Sequence, residues 1–162
     1  MKPLKGLIIF AILAISIASA AHTVFAAGSC SVSSAGVAFL GYNVFGAAAD
    51  DQSGSVSITC GGNITPATLT VALDKGGNSS GLPNRSMKNG SNTDTLTYNL
   101  YFDVARTMIW GDGTAGTVTW KITGNAIKNP VFTQSIFGRI TPGQTNASVG
   151  SYSDTVTMTL TF

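Results

Sequence analysis

The thirteen residues 150–162, GSYSDTVTMTLTF, constrain the fold more than any other stretch of this chain. Their even positions hold Tyr152, Asp154, Val156, Met158, Leu160 and Phe162, and the odd positions from Ser151 to Thr161 are all Ser or Thr. Apart from Asp154 this is strict period-two alternation, the signature of a strand with one buried and one wet face. The sequence runs to its last residue on this strand. Such a strand needs a hydrogen-bonding partner along each edge and an apolar layer beneath its even face. What supplies them is the functional question the sequence poses.

The other end reads as a separate segment. Lys2 and Lys5 precede a mostly apolar run over residues 6–17 and then Ala18-Ser19-Ala20. This is the plan of a secretory signal peptide, residues 1–20, cleaved after Ala20. Cleavage after Ala26, with Val24 and Ala26 as the small-site residues, is the alternative. The apolar run is short for a membrane span, and no later stretch offers one. Residues 21–162 then make one domain with one core. The chain carries 9 Lys+Arg against 7 Asp+Glu. Two lysines leave with the signal, so the exported part is balanced and offers no basic face for nucleic acid. Every acidic residue is Asp, and Gly, Ser, Thr and Asn abound, as suits an extracellular all-β protein.

Cys30 and Cys60 fit the same compartment: an even count in an oxidising space reads as one disulfide. A redox pair or metal ligands would need a CxxC or more histidines than His22. Closing a loop of this length stabilises the fold by about 3–4 kcal/mol on the chain-entropy model. Residues 54–60 read as a strand with Val56, Ile58 and Cys60 inward, after a loop at 48–51. Residues 30–32 and 37–42 read as one strand interrupted at 33–36. Further strands are expected at 67–73, 85–88, 95–102 (Leu96, Tyr98, Leu100 and Phe102 inward), around Val118, Trp120 and Ile122, and at 135–140. Many short strands between Gly- and Asn-rich turns, with no convincing 3.6 period, predict a β-sandwich.

Catalytic chemistry finds little support. One histidine beside the cleavage site leaves no base for a nucleophile. Asp103 and Asp112 could be drawn as paired carboxylates, but in a Gly-Asp-Gly turn Asp112 reads as a cap of its own turn. Calcium would need a DxDxDG spacing that is absent. Asn63, Asn78 and Asn146 stand in Asn-x-Ser/Thr form and read as turn residues. The Thr row of the last strand is similar to an ice-binding ladder, yet one strand is not a ladder and Thr is ordinary on a wet strand face.

Tyr98-Asn99-Leu100-Tyr101-Phe102-Asp103 followed by Trp110-Gly111-Asp112-Gly113-Thr114 resembles the centre of the spore coat protein U domain family. So does the closing block Phe137-Gly138-Arg139-Ile140, Gln144, then Gly150-Ser151-Tyr152-Ser153-Asp154, with Cys30 and Cys60 where that family has its disulfide. The resemblance covers essentially the whole exported chain. It implies an immunoglobulin-like sandwich that lacks its last strand. The family includes subunits of archaic chaperone–usher pili and secreted spore-coat or biofilm proteins. Its pilus members are held first by a periplasmic chaperone and then completed by the N-terminal strand of a neighbouring subunit, assembled through an outer-membrane usher.

The expectation is therefore an exported, disulfide-bonded, incomplete β-sandwich without cofactor or enzymatic activity. It passes through the periplasm to the cell surface or the medium as a structural or adhesive pilus subunit. Val156, Met158, Leu160 and Phe162 would flank the groove that accepts a strand. The alternatives are a complete sandwich, a free-standing secreted coat or matrix protein, a carbohydrate-binding tip adhesin with Tyr101 or Trp110 exposed for stacking, and a secreted hydrolase. One departure stands out. The donor segment ahead of Cys30, with Val24 and Phe25, alternates poorly. Residues 21–29 span about 30 Å at most, against roughly 40 Å for a straight strand over 150–162. The chain is thus expected to accept a strand better than it donates one, at a fibre end or as a minor subunit.

Overall fold

The structure, a computed structural model, describes residues 29–64, 68–124, 127–128 and 131–161. The expected signal segment, Val24, Phe25 and Phe162 lie outside the described residues. Those described form strands, turns and loops, with no helix. In chain order the strands are β1 (Ser29–Ala35), β2 (Asp50–Gly61), β3 (Asn63–Ile64), β4 (Thr68–Leu73), β5 (Arg85–Asn89), β6 (Thr95–Tyr101), β7 (Trp120–Thr123), β8 (Ile127–Lys128), β9 (Val131–Ile140), β10 (Tyr152–Ser153) and β11 (Met158–Thr161). One sheet has the order β1-β2-β9-β6-β5-β10, a second the order β11-β4-β7, and β3 and β8 pair as a short ribbon. Every pairing between strands is antiparallel.

Period-two patterning sets the register. Val56, Ile58 and Cys60 of β2, Leu96, Tyr98 and Leu100 of β6, and Ile136 and Ile140 of β9 turn inward from the large sheet. Leu69, Val71 and Leu73 of β4 and Trp120 of β7 close on them from the small one, in one continuous core. The result is an incomplete immunoglobulin-like β-sandwich. Cys30 lies directly opposite Cys60 in the β1–β2 ladder and the two are disulfide-bonded. The bridge therefore fastens an edge strand to its neighbour within one sheet. Among the described residues, no helix is long and apolar enough to cross a membrane.

Three strand readings need correction. β2 starts at Asp50, because Asp50 to Ser53 continue the ladder with β9 instead of looping. β1 runs through Ser33, Ser34 and Ala35, whereas residues 36–42, apolar enough to suggest a strand, pair with nothing. Instead they cross the inner face of the large sheet as a strap. The third correction bears on function. The last stretch is not one strand: β10 pairs with β5 in the large sheet, and β11 pairs with β4 in the small one. Residues 154–157 carry the chain from one sheet to the other. Alternation continues across the switch, with even positions half-buried and odd ones exposed, because the same face stays turned to the core throughout.

Candidate functional site

A cleft of about 1130 Å³ opens between the strap, residues 36–45, and residues 147–158. Leu73, Met87, Tyr98, Leu100, Ile136 and Ile140 form its floor. Val156 and Met158 line it; Leu160 is half-buried against the core beside it.

Two strand-like edges border this cleft. Side chains alone hold the strap: Val37 and Phe39 sit over Gly138, Phe39 meets the Tyr98 ring edge-on at 6.1 Å, and the Tyr42 hydroxyl donates to Thr141 O at 2.8 Å. A Cβ on Gly138 would come within 2.6 Å of Val37 and 2.8 Å of Phe39, so glycine is what lets the strap lie down there. Residues 37–42 make no backbone hydrogen bond among the described residues. The other edge is the last segment. Its odd residues bond away from the cleft: Gly90 N–H donates to Ser151 O, Gly77 N–H to Thr155 O and Asp74 N–H to Thr157 O. The backbone groups of the even residues Asp154, Val156, Met158 and Leu160 consequently face the other way. Those of Asp154 and Val156 have no partner among the described residues.

The sheet switch is pinned by two carboxylates. Asp74 Oδ1 accepts from the Gly76 and Thr157 N–H groups at 2.9 Å each. Partial burial works to raise its carboxyl, but those amide donors and the Arg85 charge outweigh it and hold it below the ordinary 3.8. Asp154 Oδ1 accepts from Gly77 N–H and Asn78 Nδ2, and its Oδ2 from the Tyr98 hydroxyl at 2.8 Å. Burial, then the bond to Asp154, push the Tyr98 hydroxyl far above its ordinary 10.0, so it stays a donor.

The remaining motif residues serve the frame of the cleft. Gln144 bonds both backbone groups of Thr97, and Tyr152 Oη donates to Ser148 O. Gly150 lies against the buried Asn89. Asp103 caps its loop by accepting from the Thr107 and Met108 N–H groups, and Asp112 accepts from Thr114 N–H, the turn cap expected of it. Gly111 continues the frame by donating to Val118 O and accepting from Leu73 N–H. Tyr101, opposite Phe137, is half-buried. Trp110 overturns an expectation: it is fully buried, edge-on to Phe102 and Trp120, with Nε1 donating to Val71 O. It sits at the head of a turn that folds back onto the core, so it stacks on nothing outside.

Sequence reasoning missed Arg85. It is fully buried on β5 and donates to the carbonyls of Leu73, Asp74 and Trp110, tying β5 to the end of β4 beneath the cleft. Placed in a Gly/Asn/Ser-rich stretch, it gave no signal except one cation at an inward strand position.

A model of the Spore Coat Protein U domain matches residues 16–159. Protein U of Myxococcus xanthus is 35% identical over 128 residues, which cover 76% of this chain and 63% of Protein U. This chain thus spans somewhat under two thirds of that relative. Among solved structures, a chain of the CsuC–CsuE chaperone–tip adhesion subunit pre-assembly complex, from the archaic chaperone–usher Csu pili of Acinetobacter baumannii, superposes with a TM-score of 0.56. The match covers 83% of this chain and 40% of that one at 22% identity, a likeness of fold.

Proposed function

This chain belongs to the spore coat protein U domain family, and on that premise we propose that it is a non-catalytic subunit of an exported surface fibre whose cleft accepts an extended segment from a partner chain. The partner is first a periplasmic chaperone and then a neighbouring subunit, with an outer-membrane usher as the exit. One observation carries this reading. Two edges with unpaired backbone groups among the described residues, the strap and the even side at Asp154 and Val156, border one apolar cleft. A strand entering there gains main-chain hydrogen bonds for affinity and alternate pockets for register. The disulfide agrees with an oxidising route. The fold shared with a chaperone–usher complex agrees with the partners.

The free-standing coat protein is the second reading, and a specific observation favours it. The floor is already covered by the strap, no floor residue being more than 8% exposed. Hydrogen exchange on protein recovered from the cell surface separates the two. In fibres, the amides of Val156 and Met158 become protected, and Met158→Asp yields only monomer, because a carboxylate would be buried there without a partner. Monomeric wild-type protein with both amides unprotected would support the free-standing coat protein.

A further inference from the structure

Among the described residues, Asp154 is the only charged one lining the cleft. It stands at an inward position of an otherwise apolar alternation, with Val156 and Met158 following on the same face. A carboxylate so placed is not free to select a cationic side chain on the incoming segment. Its oxygens are already engaged by three donors, Gly77 N–H at 2.9 Å, Asn78 Nδ2 at 2.9 Å and Tyr98 Oη at 2.8 Å. Those donors come from two places, the loop that follows β4 and the middle of β6. Asp154 itself lies at the point where the chain has left the edge of β5 and has not yet joined β4. Space outside it is closed: a Cβ on Gly76, whose φ is +82°, would fall 2.0 Å from Asp154 Oδ2.

Resting on the reading of the cleft as a strand acceptor, we propose that Asp154 is a positioning residue. It locks the sheet switch so that the edge at Val156 and Met158 is in line before any segment arrives. The cleft then selects a neutral segment by apolar shape and backbone pairing, and not by charge.

The test uses the whole exported chain and a synthetic peptide of residues 21–29, AHTVFAAGS, with hydrogen exchange and peptide dissociation as readouts. Removing the acceptor leaves partly buried donors unpaired, so Asp154→Ala should speed exchange at the Thr157 and Thr159 amides and peptide release by about tenfold. Core amides at Val56 and Ile58 should keep their protection. Asp154→Asn should restore both readouts to within about threefold, since its carbonyl can serve Gly77 and Asn78 while its N–H₂ donates to the Tyr98 oxygen. Gly76→Ala, whose Cβ would fall 2.0 Å from Asp154 Oδ2, should likewise speed exchange at Thr159 and carries the test if that variant does not fold. A peptide bearing lysine at its Val24 or Phe25 position should bind the wild type more weakly than AHTVFAAGS. Unchanged exchange at Thr157 and Thr159 in both Asp154→Ala and Gly76→Ala would overturn the proposal. So would a loss of protection spread evenly over Val56 and Ile58, or tighter binding of the lysine peptides. Should wild-type protein bind no peptide, the strand-acceptor reading fails, and the exchange pattern alone decides whether Asp154 is the lock.

Discussion

At the residue scale, the cleft depends on two buried polar side chains in its frame. Arg85 donates to three backbone carbonyls, and Trp110 Nε1 to a fourth at Val71. Each acceptor left alone in the core would cost about 1–3 kcal/mol. Arg85→Met should therefore destabilise the domain by roughly 3–5 kcal/mol, counting the loss of a buried, hydrogen-bonded ion. Trp110→Phe, which strands one carbonyl and leaves a small void, should cost about 1–3 kcal/mol. Urea unfolding of the oxidised protein measures both; a Trp110→Phe protein as stable as wild type would mean that the Val71 bond is not made in solution. The sequence made half of this visible. Tryptophan ahead of Gly-Asp-Gly reads as a turn residue because turns are usually wet, and nothing local shows that this one folds inward. The capping by Asp112 was legible because it needs only its own turn.

At the scale of the element, the last segment shows what alternation can and cannot reveal. Period two reports which face is inward, and it did so correctly for Val156, Met158 and Leu160, all half-buried. It carries no information on which sheet supplies the hydrogen bonds, so a strand that changes sheets over the core edge reads as continuous. Asp154 was the one visible hint, a carboxylate at an inward position that had to find donors. The strap misled for a related reason: Val37 and Phe39 have the inward spacing of a strand, yet their backbone is unpaired among the described residues. Leu160→Asp should impair folding outright, since Leu160 packs on the core opposite Val71, whereas the exposed Thr159→Asp should change stability by no more than about 0.5 kcal/mol. Equal losses of yield would show that the faces are misassigned. Acid should loosen the same element. With its pKa held below 3.8, Asp74 contributes stability that is fully present above that value and is lost as pH falls through the lowered pKa. Exchange at the Thr157 amide, corrected for its intrinsic rate, should therefore rise below about pH 4 in wild type and stay flat in Asp74→Asn, whose carbonyl still accepts.

At the scale of the whole molecule, the core divides in two. Val56, Ile58, Cys60, Leu69, Val71 and Trp110 are sealed away from the cleft, while Leu73, Met87, Tyr98 and Ile140 floor it. The sealed half carries the disulfide, and the cleft lies over the other half. On the proposed strand-acceptor reading, that division shortens what a donor must fill. Of the last segment, residues 150–158 border the cleft, about 30 Å at a strand's rise, against roughly 40 Å for a straight strand over 150–162. Ser29 belongs to β1, so cleavage after Ala20 would leave residues 21–28, about 26 Å when extended. On the strand-acceptor reading, residues 21–28 then fall about one residue short of the cleft, so the expectation of a fibre end turns on the site of cleavage. Cleavage after Ala26 would leave two residues, which cannot span it. Protein whose mature N-terminus is Ala21 should polymerise with itself once released from its chaperone, with one of Val24 and Phe25 directed into the cleft of the next copy. Protein starting at Ala27 should stay monomeric and only accept. N-terminal sequencing paired with electron microscopy of the purified subunit tests this directly: Ala21 protein that never forms fibres alone would return the chain to an end position.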